Sequence, residues 1–428
     1  MEKGLYFMKK VLKSTFLITL ISLFLIGCSS EGNNASGADD SSVTLSLYST
    51  ATSEGDQIAL EAAIEAFEEE NPDIKIDYNF PAGEYESMIR VKMAADDMPD
   101  LFDTHGWAKN RYGDYTMDLS DMNWVKHLDP ALDNILKDEN GKVYAYPLNQ
   151  AKDGLTYNKN VLDKYGIEPP TTFDDFMTAL ETIKEKSDGE VTPFWFAGSE
   201  KSQFGQYFDQ FATPLLVTDE KHDFRDDLLD GTFDWSNYTF LPDKLKEMQE
   251  QELLNVDALT AQIHQQTQLL AQDKIGFVMS TVPINAVKEL NPDTELGIIP
   301  VPAIHDGDDP SWIGGERLTF AVSEKTEHPE EAKKFIEFLA QPDMVKQIAE
   351  GTTLPAGLTN ATADIYYSDY YDKFSDVMVE PYFDRIYLPS GMWDVMGATG
   401  QELLSDAMSP EDVSEKMAEE YNRLREQD

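Results

Sequence analysis

The sequence predicts an α/β fold on a largely parallel sheet, and three stretches carry that prediction. Val43, Leu45 and Leu47 alternate with polar residues, and Ile74, Ile76, Tyr78 and Phe80 do the same, which is the two-residue period of a strand with one buried face. Between them Leu60, Ala63, Ile64 and Phe67 recur at helical spacing. A second helical stripe (Tyr85, Met88, Ile89, Met93) and the short run Pro99-Asp100-Leu101-Phe102-Asp103 continue the rhythm of strands joined by helices.

Taken in order, the chain opens on a secretory signal. Lys9, Lys10 and Lys13 precede the apolar stretch 15–30, whose small-residue site is Leu25-Ile26-Gly27-Cys28. That ending resembles the bacterial lipobox, where the chain is cut before an acylated cysteine. The run is shorter than the ~20 residues that span a bilayer, and Cys28 is the single cysteine of the chain. Residues 1–27 therefore read as a lipoprotein signal peptide, with Met8 as an alternative start. Residues 28–42 read as lipidated Cys28 and a Gly-, Ser- and Asn-rich flexible linker. About 400 residues remain, enough for two or three cores.

In the folded part Ser53-x-x-Asp56 caps the first helix and Asn71-Pro72 stops it. Further strands are predicted at 142–147, 275–279, 296–301 and 318–322. Helices are predicted at 173–185, 241–254 and 258–272. Another spans 329–340, with Pro329 in its first turn and Ala332, Phe335, Ile336 and Leu339 on one face. A last helix begins at Ser409-Pro410 and carries Val413, Met417, Tyr421 and Leu424.

Acidic residues number 80 against 34 basic ones, a formal charge of −46. Such a surface repels phosphates, so nucleic-acid binding is excluded. It suits a salty or alkaline medium as well as it suits a merely acidic soluble surface. With 41% hydrophobic residues the chain is not disordered.

Six blocks in order resemble the family 1 extracellular solute-binding proteins of ABC importers, with the carbohydrate-binding members nearest in pattern. They are AFEEENPDIKID from Ala66, MPDLFD from Met98, and the long stretch 143–180 with Tyr157-Asn158-Lys159 and Pro169-Pro170-Thr171-Thr172-Phe173. The others are KIGFVMSTVPINAV from Lys274, LGIIPVPA from Leu296, and the stretch 312–343. The resemblance implies a two-lobed periplasmic-binding-protein-like fold of type II with a multi-crossing hinge. Residues 43–150 and 318–340 would form the N-terminal lobe, and 155–312 and 352–428 the C-terminal lobe. Hinge crossings would fall at 151–154, 313–317 and 341–351. It further implies a monomeric lipoprotein, anchored outside the cell membrane by lipid alone. That lipoprotein would capture a carbohydrate, an oligosaccharide, and pass it to a permease served by a separate ATPase, with no cofactor. The family's Gly-x-Trp piece is replaced here by Ser280-Thr281-Val282-Pro283, which argues against a maltodextrin.

Sugar recognition needs aromatic faces for flat apolar rings and charged partners for hydroxyl groups. Trp107 lies just beyond the strand at 99–103, where open α/β sheets bind ligands. Trp312 sits at a predicted crossing, Trp393 follows Pro389-Ser390-Gly391, and Trp195 is a further candidate. Each could instead be a packed core ring; Trp235 is a lesser candidate, and Trp124 reads as core or surface. Polar candidates are Glu54, Arg111, Asp153, Glu316, Arg317 and Asp394, with Gly315 allowing close approach. Glu54 could equally be a helix-start charge, and Arg317 a salt-bridge partner of Glu316.

An enzyme is the main rival, but acidic residues are too many for any one pair to mark a glycosidase. GxSxG and Walker A motifs are absent, and the six histidines lack metal spacing. Asp138-Glu139-Asn140-Gly141 looks slightly like a calcium loop, yet Leu136 and Pro147 fall where oxygen ligands belong, so it reads as a turn. A sugar sensor with the same fold is the second rival.

Overall fold

Residues 42–426, except 52, 82, 83 and 280, are described by a computed structural model. The signal at 1–27, Cys28 and the linker as far as residue 41 lie outside the described residues. Among the described residues no helix is long and apolar enough to cross a membrane.

The first sheet begins with the predicted rhythm. Strands β1 (Val43–Tyr48), β2 (Ile74–Asn79) and β3 (Leu101–Asp103) are parallel, with Val43 opposite Ile74 and Leu47 opposite Leu101. The helix Glu54–Glu70 joins the first two. Ser53 Oγ accepts from the Asp56 amide at its start, and the Asn71 amide returns to the Phe67 carbonyl at its end. The sheet is mixed overall, because β11 (Thr319–Val322) runs antiparallel to β3 and pairs with β4 (Tyr146–Pro147) in the order β2-β1-β3-β11-β4. On one face Phe67 meets Phe335 and Phe338 of the helix Pro329–Leu339, at 4.9 and 5.4 Å between ring centroids.

The second sheet comprises β6 (Leu155–Asn158), β7 (Thr192–Phe194), β8 (Ile275–Met279) and β9 (Leu296–Ile299), in the order β7-β8-β6-β9. Every residue of β8 is buried, as expected for a strand covered on both faces. Phe277 and Met279 belong to the larger core, with the helices Phe173–Ser187 and Ser202–Leu216. Val278, Leu296 and Ile298 face a smaller one that contains Trp195 and Trp312.

Two strands connect the lobes side by side. β5 (Gln150–Asp153) leads out of the first lobe and β10 (Trp312–Glu316) leads back into it. They pair antiparallel, with Glu316 opposite Gln150 and Ile313 opposite Asp153, and β12 (Val379–Pro381) joins the far edge of β10. The segment 341–351, read from sequence as a third crossing, is instead the helix Pro342–Thr352. Val345, Ile348, Ala349 and Thr352 form its buried face, a helical spacing that docks it in the first lobe. The chain leaves that lobe later, between Leu358, which bridges to Leu128, and Ile365, which lies in the smaller core of the second lobe. The helix predicted from 258 begins only at Ile263, because Thr260 and Ala261 amides close a turn on the Asp257 carbonyl.

Candidate functional site

The carboxyl end of the first sheet is organised by one buried carboxylate. Asp103 accepts from the Ser49 and Thr50 hydroxyls and from the amides of Thr50, His105 and Thr319. The ends of β1, β3 and β11 are thereby tied to one group. Burial still pushes its pKa up, against those hydrogen bonds. Beyond it the chain turns through two residues of positive φ, His105 at 43° and Gly106 at 90°, a conformation uncommon outside glycine that histidine adopts more readily than most. This turn directs Trp107 toward the second lobe.

Two guanidinium groups meet that indole. Arg111 lies 3.9 Å from its ring centroid, ion-pairs with Glu86, and donates to Ser390 Oγ of the second lobe at 3.1 Å. Arg385, carried by the short helix Phe383–Tyr387 of the second lobe, lies 5.0 Å from the Trp107 ring and 4.1 Å from the Tyr382 ring. Tyr382 in turn donates its hydroxyl to Asp153 Oδ2 at 2.6 Å, and Thr281 Oγ1 reaches the other Asp153 oxygen at 3.4 Å. First lobe, hinge and second lobe thus meet in one polar cluster.

The cluster also holds His105, Glu316 and Arg317. Arg317 Nη1 lies 3.5 Å from His105 Nδ1. Burial, then the charges of Arg385, Arg317 and Arg111, hold the His105 ring well below its usual range, so it is neutral. Burial pushes Asp153 up, while the Tyr382 hydrogen bond and the Arg317 charge pull it down. Glu316 accepts from Thr104 Oγ1 at 3.3 Å through one oxygen. Burial pushes Glu316 up to about 7, against the Arg385 charge and the amides of Ala108 and Gly106.

The structure brings together Trp107, Arg111, Asp153, Glu316 and Arg317. Gly315 sits beside them at φ 111°, where a Cβ would come within 2.3 Å of Ile135. It does not bring the other candidates to this cluster. Trp195 and Trp312 are 3% and 1% exposed and fill the smaller core, Trp312 with its edge on Tyr371 and Phe374. Both are packing rings, because the sheet they cover is buried on that face too. Glu54 is exposed in the first turn of its helix, and Asp394 is paired with Lys201 at 2.7 Å. Trp393 is half-buried against Gly205. Of the motif 280–283, residue 280 lies outside the described residues. Asp138 closes a turn, accepting from the amides of Asn140 and Lys142. Thr50, Asp103, His105, Tyr382 and Arg385 were not singled out from sequence. The first three stand beside the Trp107 loop and could have been; the last two lie in a stretch with no motif. Beside the cluster, a cleft of about 840 Å³ separates Lys109, Asp129 and Ile135 from Met378, Glu380 and Tyr387, with Lys152 of the hinge between them.

The chain is similar to known proteins in sequence and fold. The sequence profile of the bacterial extracellular solute-binding proteins matches residues 51–346. The chain is 55% identical to the melibiose/raffinose/stachyose-binding protein MelE of Bacillus subtilis (strain 168), over 97% of this chain and 98% of that one. A Bacillus licheniformis sugar transporter solved in complex with stachyose is 60% identical, with a TM-score of 0.82 over 89% of this chain and 100% of that one. A Bacillus subtilis binding protein solved in an open conformation is 55% identical, with a TM-score of 0.88 over 91% and 99%. Two lobes, a paired-strand hinge and a polar, aromatic cluster between them accompany that likeness, and the chain belongs to the bacterial extracellular solute-binding protein family.

Proposed function

We propose that this chain is the receptor of an ABC importer for oligosaccharides of the melibiose, raffinose and stachyose series. The observation that carries the reading is the 60% identity to a protein that holds stachyose, together with 55% identity to MelE over nearly the whole chain. The cluster around Trp107 supports it: an indole for an apolar sugar face, and arginine and carboxyl groups from both lobes for hydroxyls. A ligand touching both lobes favours the closed form. A membrane permease with its own ATPase would then take the sugar from the closed receptor, a monomer held at the outer face of the membrane through acylated Cys28. The relatives named above are binding and transport proteins, and the chain is read as a receptor and not an enzyme.

The test is thermal unfolding with added sugar, since a ligand that binds only the folded state raises the midpoint. Stachyose, raffinose and melibiose should raise it, maltotetraose should not, and the sugars should be recovered unchanged. No shift with any of the three sinks the assignment. For the anchor, Cys28→Ser should abolish incorporation of a labelled fatty acid by the producing cell; undiminished labelling would place the lipid elsewhere.

A further inference from the structure

Arg385 lies in a part of the chain that no motif marks, yet it stands where the two lobes meet. Its guanidinium lies over Trp107 of the first lobe and over Tyr382 of its own. Asp153, Asp209, Glu316 and Asp384 all feel its charge. Even so, Nη1 is buried without a hydrogen-bond partner. A charged donor withdrawn from water and left unpaired is costly, and one surrounded by carboxyl groups would ordinarily have closed an ion pair. The backbone makes room for it as well. At Gly106 a Cβ would stand 2.2 Å from Nη1, so any larger residue would displace the guanidinium.

Carboxyl groups stand buried in the same region: Glu316, faced by the amides of Ala108 and Gly106, and Asp209, which shares a hydrogen bond with the Asp384 side chain. An unfilled charged donor beside an indole and buried carboxyl groups suits a polyhydroxylated ligand, because each hydroxyl both donates and accepts. We infer that Arg385 is a ligand-contacting residue, donating Nη1 to an oxygen of the sugar that packs on Trp107 and so helping to decide which sugars the cleft retains. The inference rests on the reading of this cleft as a sugar site. It assigns to the second lobe a charged contact on the ring that the first lobe supplies. A planar fork fixes direction as well as charge, so the residue should act on ranking among sugars and not only on affinity.

The test is calorimetric titration of the full chain in detergent with stachyose, raffinose and melibiose, for the wild type, Arg385→Met and Arg385→Lys. The Met variant, close in length and uncharged, should lose about 10- to 100-fold in affinity for the best sugar. The Lys variant should fall between, with the order of the three sugars altered. The unfolding midpoint without sugar should not fall in step with the affinity, which separates a contact from a structural support. Wild-type affinity and ranking in the Met variant overturn the inference. If that variant does not fold, the Lys variant decides alone, and wild-type affinity and ranking there overturn it equally. A wild-type chain that takes none of the three sugars is a different result: it removes the sugar reading itself.

Discussion

Glu316 ends β10 with one carboxyl oxygen on Thr104, 1% exposed between the lobes. Its folded pKa stands at about 7, above the ordinary 4.5. A raised value means that the folded state keeps the proton longer than the unfolded chain does. The contribution of this group to stability is therefore whole below about pH 4.5, declines as pH rises toward 7, and is constant above. Glu316→Gln removes the titration and keeps the shape. The variant should gain on the wild type between pH 5 and pH 8, by roughly 1–3 kcal/mol. Thermal unfolding at both pH values checks it, and an equal difference at the two would show that the carboxyl does not titrate in that window. At this scale the sequence was half legible. Trp107, Asp153 and Glu316, which the structure brings into one cluster, stand at strand ends and crossings that are visible in sequence. Trp312 lies on a crossing too, so sequence leaves it open between ligand ring and core ring, and only the packing of Tyr371 and Phe374 against it shows which way it turns. Arg385 lies 278 residues after Trp107 in the numbering, and no local pattern links the two.

The helices Ser202–Leu216 and Met392–Leu404 show why some elements escape a periodicity reading. Phe204 through Leu216 are buried with one exception, so the first helix has no polar face to alternate with. Gly397 and Gly400 on the second helix let the two approach. At Gly400 a Cβ would stand 2.4 Å from Phe204 Cβ, and at Gly397 one would stand 2.7 Å from the Lys201 carbonyl oxygen. Gly400→Ala therefore sets two effects against each other. Alanine gains about 1 kcal/mol in helix propensity, while forcing extra volume into a filled contact loses about 1–3 kcal/mol. Because the nearest atom is a Cβ close to the partner's backbone, it cannot rotate aside, and the loss should prevail. A lower urea midpoint is expected, and a higher one would mean that the helices separate easily. Of the legible elements, β1, β2 and Pro329–Leu339 each have one wet face, while β3 is buried throughout and is marked in sequence by its short apolar run after Pro99. The helix Pro342–Thr352 has one as well and was read as a crossing, since the family resemblance outweighed its own spacing.

Across the whole molecule the balance of charge bears on stability more than any pair does. With 80 acidic and 34 basic residues, many carboxylates have no cation to meet. The pairs that do form are mostly exposed, such as Lys325 with Asp96 and Lys75 with Glu68, and exposed pairs contribute about 0–1 kcal/mol each. Salt acts on both terms with opposite signs: it weakens the pairs and screens the repulsion among the excess acids. The repulsion involves more charges over longer distances, and screening reaches it first, as the Debye length falls from about 30 Å at 0.01 M to about 3 Å at 1 M. Sodium chloride should therefore raise the unfolding midpoint over this range, most steeply at the low end where the screening length changes most. A midpoint that falls would show that the pairs outweigh the repulsion. A flat response would mean that the acids are spaced widely enough to ignore one another, and would leave the acidic surface as a matter of solubility and not of adaptation to salt.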